Sequence, residues 1–144
     1  MKKNPKVSII IPFYVETTRF YRDLKKFLNL DYPNYEILVV SDKKIEVDIP
    51  KIKIILTGKG HTGPAEKRDI AIKLAKGEIC AFIDDDAYPD QNWLKNAVVH
   101  FQHPQIVAVG GPGITPKEDK YWEQLTGLVY GSFFCGGHAQ HRFV

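Results

Sequence analysis

The sequence is poor in cysteine: it has only Cys80 and Cys135, which have no partners at the spacing of a metal site. Neither a disulfide framework nor a zinc site is therefore expected to hold the fold together. With 144 residues the chain is long enough to bury a core without such a crosslink. Cys80 lies in an apolar run, so we interpret it as a small core residue, and nothing indicates an oxidising compartment.

Long apolar runs are also lacking. No stretch reaches the ~18 apolar residues that cross a membrane. The basic N-terminus is followed by a short strand-like run and not by a signal peptide. We expect a soluble, cytoplasmic chain, and whether a further C-terminal part attaches the whole protein to a membrane stays open.

The chain also lacks a large excess of one charge sign, because 20 Lys and Arg against 17 Asp and Glu leave a net charge of +3. This balance lacks the dense basic footprint of a nucleic-acid-binding domain, so no nucleic-acid partner is expected, although it suits an anionic small ligand. The chain is 44% hydrophobic and 26% charged and has no repeat, which indicates a globular domain and excludes disorder and coiled coils.

What the chain does contain is an alternation of short apolar runs with helix-like patterns. Strands are predicted at 7–12, 35–41, 52–56, 79–83 and 106–111, and helices at about 18–30, 64–76, 91–102 and 118–130. Such alternation favours right-handed βαβ units. The predicted fold is therefore α/β, a mainly parallel sheet with helices on both faces, in a single domain over residues 1–144.

Three of the predicted strands run directly into residues that can bind a ligand. Tyr14 and Glu16 follow the first strand, Asp42 follows the second, and the run Asp84–Asp86 follows the fourth. Ligands of parallel α/β sheets bind beyond the carboxyl ends of the strands. We therefore expect these residues to share one edge of the sheet and to form a site.

The three consecutive carboxylates repel one another unless a cation neutralises them. Mg²⁺ and Mn²⁺ prefer oxygen ligands, and Mg²⁺ commonly takes one or two carboxylates together with phosphate oxygens and water. On an extended backbone Asp84 and Asp86 leave the same side while Asp85 points elsewhere, so the spacing suits such an ion, and another carboxylate can hold a ribose hydroxyl. The alternative is a solvated acidic turn that caps the following helix.

A glycine-rich loop at 58–63 lacks the spacing of a P-loop, and no dinucleotide-binding glycine motif follows the first strand. Backbone N–H groups at the start of the next helix, with Lys67 and Arg68 in its first turn, still favour a diphosphate. Arg68 can equally be a surface residue. Tyr14 can stack on a flat base and Asp42 can accept a hydrogen bond from a base N–H, although each alone is more often structural.

Taken together, these segments resemble the family 2 glycosyltransferases, whose nucleotide-diphospho-sugar domain has the Rossmann-like GT-A fold. VSIIIPFYVET resembles the opening strand of that family with its Pro-x-Tyr-Asn-Glu end, and YEILVVSD resembles its base-contacting strand. GPAEKRDIAIKLAKGEICAFIDDDAYPDQNWL resembles the stretch with Ala-Arg-Asn, Ala-x-Gly-Glu and an aspartate-rich metal motif. The likeness covers roughly residues 6–115.

The resemblance implies transfer of a sugar, with inversion, from a UDP- or GDP-type donor to a hydroxyl of a saccharide, lipid-linked or other acceptor. It implies Mg²⁺ or Mn²⁺ held by Asp84 and Asp86, with Asp86 as the direct ligand and Asp85 in the ribose or sugar role if the register slips by one. The other donor-binding residues that it implies are Pro12, Phe13, Tyr14, Glu16, Asp42 and Arg68. The acceptor half and the general base are expected beyond residue 144, so we expect this chain to bind donor with little or no transfer.

Three positions depart from the family pattern: Val15 stands where Asn is usual, Lys67 where a small residue is usual, and Asp69 where the Asn of Ala-Arg-Asn is usual. These departures concern nucleoside recognition and leave the metal motif intact. Two other functions stay open. One is a haloacid-dehalogenase-type phosphatase with Asp84 as nucleophile, although that motif normally lies on the first strand. The other is a non-catalytic nucleotide-binding module.

Overall fold

A four-stranded parallel sheet forms the centre of the first part of the chain. The computed structural model describes residues 4–14 and 17–136. The strands are β1 (Val7–Pro12), β2 (Tyr35–Ser41), β3 (Ile52–Leu56) and β4 (Ile79–Phe82). All neighbours pair in parallel, in the order β3-β2-β1-β4. The mainly parallel sheet predicted from the sequence is therefore confirmed.

Helices cover both faces of this sheet, as predicted. They are α1 (Thr18–Leu24) with a 3-10 helix at Lys25–Asn29, α2 (Pro64–Leu74), and α3 (Trp93–Val98) with a 3-10 helix at Val99–Gln102. Because successive strand side chains point to opposite faces, the strands supply two cores. Ile9 and Ile11 belong to the core between the sheet and helices α1 and α3. Ile10 belongs to the core on the other face, where it packs with Ala71 of α2.

The predicted starts of α1 and α2 are also confirmed, and each has a local cause, whereas α3 and α4 begin two and three residues later than predicted. The Thr17 hydroxyl accepts a hydrogen bond from the Phe20 N–H at 3.1 Å, which caps α1. Pro64 is the first residue of α2, where its missing N–H costs nothing and its fixed φ is already helical.

The strand order brings the carboxyl ends of β2, β1 and β4 next to one another. Pro12 pairs with Val40, and Ile10 pairs with Phe82. The pairing continues just past the strands, because the Phe13 N–H donates to the Val40 carbonyl at 2.8 Å. Residues that directly follow these three strands therefore lie at one edge of the sheet.

Residues up to Pro104 form one compact unit, and residues from Gln105 form a second, which contains α4 (Tyr121–Gly131) and α5 (Phe133–Gly136). The strand predicted at 106–111 is wrong: this segment is not in a strand, and Val107 is 87% exposed. A β-branched run becomes a strand only where a neighbouring strand and a buried face receive it, and among the residues that the structure describes this run has neither.

All candidate site residues that the structure describes lie in the first unit. That residues 1–144 make up one donor-binding domain stays a prediction. None of the helices within the described residues combines the length and the apolar character that a membrane crossing needs.

Candidate functional site

A cleft with about 310 Å³ of open space lies at the carboxyl edge of the sheet. Its walls come from the ends of β1 and β4, from the glycine-rich loop and from the start of α2. The lining residues are Pro12, Tyr14, Thr62, Pro64, Lys67, Arg68, Asp84, Asp85 and Asp86. Most of the residues singled out from the sequence therefore meet in one place.

The three aspartates lie in a turn. Strand β4 ends at Phe82, and the chain then folds back so that the Ala87 N–H donates to the Asp84 carbonyl at 3.2 Å. The prediction that the aspartates follow one another along an extended backbone is therefore wrong, because pairing with β1 has ended before them. Asp84, Asp85 and Asp86 all line the cleft, and Asp86 forms no hydrogen bond or ion pair with another described residue.

Asp84 is paired with Arg68 across the cleft. The Arg68 guanidinium donates to the Asp84 carboxylate, with 2.6 Å between Nη2 and Oδ1. The Arg68 Nε is buried and has no hydrogen-bond partner within the part of the chain that the structure describes. Arg68 therefore holds one acid of the triplet, while its buried Nε stays unpaired within the described residues.

Tyr14 is tied to the aspartate turn through its backbone. Its N–H donates to Asp85 Oδ2 at 2.8 Å, which joins the end of β1 to the turn after β4. The Tyr14 ring is 66% exposed, and the His61 ring meets it edge-on at 6.0 Å between centroids. An exposed aromatic ring at the wall of a cleft offers a flat surface for stacking.

Asp42 is not among the residues that line the cleft, although its side chain is 12% exposed. Its Oδ1 accepts a hydrogen bond from the Thr57 hydroxyl at 2.6 Å, and its Oδ2 accepts from the Thr62 N–H at 3.1 Å and from Lys67 Nζ at 2.9 Å. The Thr57 hydroxyl, followed by Lys67 and Thr62, holds the pKa of the Asp42 carboxyl well below its usual range, against the opposing effect of burial. Asp42 is therefore ionised and already engaged by three donors.

Lys67 is the buried cation of the site. Its side chain is 1% exposed, and besides Asp42 its Nζ donates to the Phe13 carbonyl at 2.6 Å. The Phe13 side chain is 3% exposed and packs on Phe20 with 4.5 Å between ring centroids. The Phe13 ring therefore belongs to the core, and donor binding by Phe13 stays a prediction.

Sequence reasoning gave no ligand role to Thr62, and it placed Lys67 beside a diphosphate and noted it as a departure from a family pattern, but it did not predict that Lys67 is buried. A usable signal was the position of Lys67 four residues before Ala71, which is fully buried against the sheet. Residues four apart share one helix face, so Lys67 had to point inward as well. Glu16, predicted to line the nucleoside pocket, lies outside the described residues.

The donor set suits a hard divalent cation only in part. Within residues 4–14 and 17–136, no group of three or more His, Cys, Asp or Glu residues is arranged to hold a metal ion. The cleft nevertheless offers the whole carboxylate of Asp86 and the second oxygen of Asp84. This set fits an ion that takes one or two carboxylates and completes its shell with phosphate and water.

The same fold occurs in solved glycosyltransferases. TarS 1–349 of Staphylococcus aureus, in complex with UDP-GlcNAc, matches with a TM-score of 0.67 and 24% identity over 80% of this chain and 36% of that chain. Mannosyltransferase PcManGT of Pyrobaculum calidifontis, in complex with GDP-Man and Mn²⁺, matches with a TM-score of 0.59 and 24% identity over 81% of this chain and 38% of that chain. These likenesses define the fold class as GT-A.

A family model described as glycosyl transferase family 2 matches residues 8–140. The chain therefore belongs to glycosyl transferase family 2, which confirms the resemblance found in the sequence. One curated relative, the dolichyl N-acetyl-alpha-D-glucosaminyl phosphate 3-beta-D-2,3-diacetamido-2,3-dideoxy-beta-D-glucuronosyltransferase of Methanococcus voltae, is 29% identical over 91% of this chain and 46% of its own length. The chain spans less than half the length of the curated relatives it matches.

Proposed function

We propose that the chain is the donor-binding part of an inverting glycosyltransferase that moves a sugar from a nucleoside-diphosphate sugar to an acceptor hydroxyl. The observation that carries the proposal is the cleft itself. In a chain of family 2, an exposed aromatic ring, a guanidinium and three carboxylates line one pocket at the carboxyl edge of a parallel sheet. These groups suit the base, the phosphates and a phosphate-bound metal ion of a nucleoside diphosphate, respectively.

Each end of the ligand is assigned to the groups that suit its chemistry. The Tyr14 ring would stack on the base. Arg68 would bind the diphosphate, since a guanidinium pairs strongly with phosphate oxygens and its Nε has no internal partner among the described residues. Asp85, which accepts from the Tyr14 N–H and lines the cleft, would bind a ribose or sugar hydroxyl.

A divalent ion, Mg²⁺ or Mn²⁺, fits the same proposal. Asp86 and the second oxygen of Asp84 would hold it, and the diphosphate and water would complete its ligands. When bound, such an ion neutralises the charge that develops on the departing nucleoside diphosphate. The Mn²⁺ and GDP-Man bound by the Pyrobaculum neighbour and the UDP-GlcNAc bound by TarS support a metal and a UDP- or GDP-type donor.

The transfer step needs a base for the acceptor hydroxyl, which attacks the anomeric carbon as the nucleoside diphosphate leaves. We assign the base to a part of the full-length enzyme other than this cleft. The relatives are more than twice as long as the segment that this chain matches, which supports a separate acceptor-binding part. The acceptor is a saccharide, a lipid-linked sugar or another hydroxyl compound.

Two alternatives have less support. A phosphatase would need Asp84 as a free nucleophile, but Asp84 follows β4 and is engaged by Arg68. A non-catalytic nucleotide-binding module would use the same cleft, and only the absence of transfer by the full-length protein would distinguish it. Family membership favours the glycosyltransferase over both.

Isothermal titration calorimetry tests the proposal. We expect UDP or GDP to bind saturably in Mn²⁺, and we expect binding to weaken strongly when EDTA removes the metal. A chain that binds neither nucleotide under any metal condition would overturn the proposal. Release of phosphate from an aryl phosphate would instead favour the phosphatase.

A further inference from the structure

Lys67 is a buried charge at a position where the resembling family usually has a small residue. Its side chain is 1% exposed on the face of α2 that also buries Ala71. An ammonium in such a place is very costly unless it is paired. Even when paired, it seldom stabilises a fold better than well-packed apolar residues of the same volume would. Its presence therefore calls for a cause other than stability.

The Lys67 ammonium is held by acceptors that follow two neighbouring strands. Its Nζ donates to the Phe13 carbonyl, just after β1, at 2.6 Å, and lies 2.9 Å from Asp42 Oδ2, just after β2. The Phe13 N–H is itself paired with the Val40 carbonyl of β2. The ammonium therefore has a defined position at the edge of the sheet, and it holds the Asp42 carboxylate at that position.

Asp42 keeps one acceptor site for a ligand. Its Oδ1 accepts a hydrogen bond from the Thr57 hydroxyl, and its Oδ2 accepts from the Thr62 N–H and from Lys67. A carboxylate has about four acceptor sites, so one site, on Oδ1, is left. The Asp42 side chain is partly exposed, and Thr62, to which it is bonded, lines the cleft. Asp42, and not the buried ammonium, is therefore the group that a ligand can reach at this corner.

The same ammonium adjoins the ring on which the base would stack. Lys67 Nζ lies 5.8 Å from the centroid of the Tyr14 ring, which is within the range of about 6 Å for a cation–π contact. The family resemblance assigns stacking on the base to Tyr14 and acceptance of a base N–H to Asp42. These two groups therefore share one buried neighbour, which fixes the position of one relative to the other.

We propose that Lys67 is a positioning residue for the donor: it acts through Asp42, which it holds as an oriented acceptor for an N–H of the base. The ammonium itself does not contact the ligand. This inference rests on the proposed function, because it assumes that the cleft binds a nucleoside diphosphate with its base at Tyr14 and Asp42. A lysine that departs from the family pattern thereby serves donor binding.

The charge of Lys67 contributes as well as its position. An ionised carboxylate only accepts hydrogen bonds, whereas a protonated one also carries a donor that would face the N–H of the base. An ammonium beside Asp42 favours the ionised form. Without it, Asp42 would keep only the two neutral donors of Thr57 and Thr62 and would lose the charged partner that holds its Oδ2.

Calorimetry with UDP and with inorganic pyrophosphate, both in Mn²⁺, tests the inference on the whole chain, with GDP in place of UDP if the chain prefers it. Pyrophosphate has the phosphates of UDP but no base. Lys67→Met, which keeps the length of the side chain and removes its charge and donors, should weaken UDP binding about tenfold and leave pyrophosphate binding nearly unchanged. Lys73→Met, at an exposed lysine of the same helix, is the matched control and should change neither.

A double-mutant cycle tests whether Lys67 acts through Asp42. If it does, Lys67→Met should cost UDP affinity in the wild-type background and little more in the background of Asp42→Asn, which keeps the shape of the side chain and removes its charge. Additive losses would mean that Lys67 influences the donor independently of Asp42, and would overturn the inference.

Nuclear magnetic resonance of the wild type gives a test that needs no folded variant. In a chain labelled with ¹⁵N-lysine, the signal of the Lys67 ammonium should shift when UDP is added in Mg²⁺, because the base adds a hydrogen bond to its partner Asp42. It should stay in place with pyrophosphate, which does not reach Asp42. A signal that moves equally with both ligands, or with neither at saturation, would contradict the proposed role.

The outcomes of calorimetry are distinguishable. A Lys67→Met variant that is folded, as its thermal unfolding verifies, and binds UDP as tightly as the wild type overturns the inference. Equal losses of UDP and pyrophosphate affinity also overturn it, because they are what a purely structural role predicts. Both results leave the proposed function intact. A wild type that binds neither UDP nor GDP in Mn²⁺ overturns the proposed function and the inference together.

Discussion

Arg68 and Asp84 form an ion pair that joins the start of α2 to the turn after β4, with 2.6 Å between Nη2 and Oδ1. Both side chains are partly exposed, so the pair contributes on the order of 0–1 kcal/mol to folding. Its larger effect is to set a positive and a negative group side by side at the cleft. A metal-bound diphosphate carries both charges. Its phosphates can therefore replace Asp84 as the partner of Arg68, and its metal ion can replace Arg68 as the partner of Asp84.

Substitution of Arg68 tests its proposed contact with the diphosphate. Arg68→Met should weaken UDP binding about tenfold, since it removes a charge-assisted contact, and should leave the binding of uridine unchanged. Calorimetry with both ligands measures the difference. An Arg68→Met variant that binds UDP more tightly than the wild type would mean that Arg68 only competes with the metal for Asp84, and would contradict the contact.

Substitution of Asp86 should weaken metal binding and leave the stability of the fold unchanged. Because its carboxylate has no partner among the described residues, Asp86→Asn should leave the midpoint of thermal unfolding unchanged. It should also weaken UDP binding in Mn²⁺ to the level of the wild type in EDTA. Asp48→Asn, an exposed acid in a loop of the same unit, is the charge-matched control. Full Mn²⁺-dependent binding by Asp86→Asn would exclude this acid as a metal ligand.

Glu36 lies near the start of β2, at the edge of the sheet opposite the cleft. Its side chain joins β2 to β1 and to the segment that follows α2. Its Oε1 accepts hydrogen bonds from the Ser8 hydroxyl and from the Lys76 N–H, both at 2.8 Å, and Lys6 Nζ lies 3.5 Å from Oε2. Burial raises the pKa of the Glu36 carboxyl, but these donors outweigh it and leave that pKa lowered. The ionised form is therefore the one that stabilises the fold.

The lowered pKa of Glu36 fixes the sign of a pH dependence. Its stabilisation is complete above the pKa of an unfolded Glu, about 4.3, and is lost as the pH falls through the lower pKa of the folded state. Glu36→Gln should be about 1–2 kcal/mol less stable than the wild type at pH 7, and the difference should shrink below about pH 4. Urea unfolding at both pH values measures it, with the exposed Glu46→Gln as control. A difference that does not change with pH would contradict the charged contact.

Gly77 is required because the chain passes close to β1 at this point. A Cβ here would lie 2.5 Å from the Ser8 nitrogen and 2.9 Å from the Ile79 carbonyl oxygen, and neither backbone atom can move independently. Gly77→Ala should cost about 1–3 kcal/mol in the free energy of unfolding. Gly60→Ala, where a Cβ meets nothing within 4 Å, should cost much less in the same denaturant titration.

The sequence predicted the two central strands well because β1 and β2 are buried on both faces. The runs that became β1 and β2 are β-branched and apolar, so their local preference and their buried position agree. The run at 106–111 has the same local preference, yet no buried face receives it. Local sequence alone does not contain that difference.

The sequence predicted the parts of the candidate site that follow from the order of the strands. It did not predict which side chains pair with one another. Tyr14 and the aspartates follow adjacent strands, so strand order alone brings them to one cleft. That Asp42 pairs with Lys67 and Thr62 follows from three-dimensional packing, because both are distant from Asp42 in the sequence. The turn at 84–87 was missed for the same reason, since its form depends on where pairing with β1 stops.

The partners of Asp86 and Lys67 also determine how freely each position can vary. Asp86 has no internal contact among the described residues, so evolution can exchange it without disturbing the fold. Lys67 is bound to Asp42 and to the Phe13 carbonyl, so any replacement must also satisfy the Asp42 carboxylate. Laboratory redesign of this corner of the fold therefore has to replace Lys67 and Asp42 together.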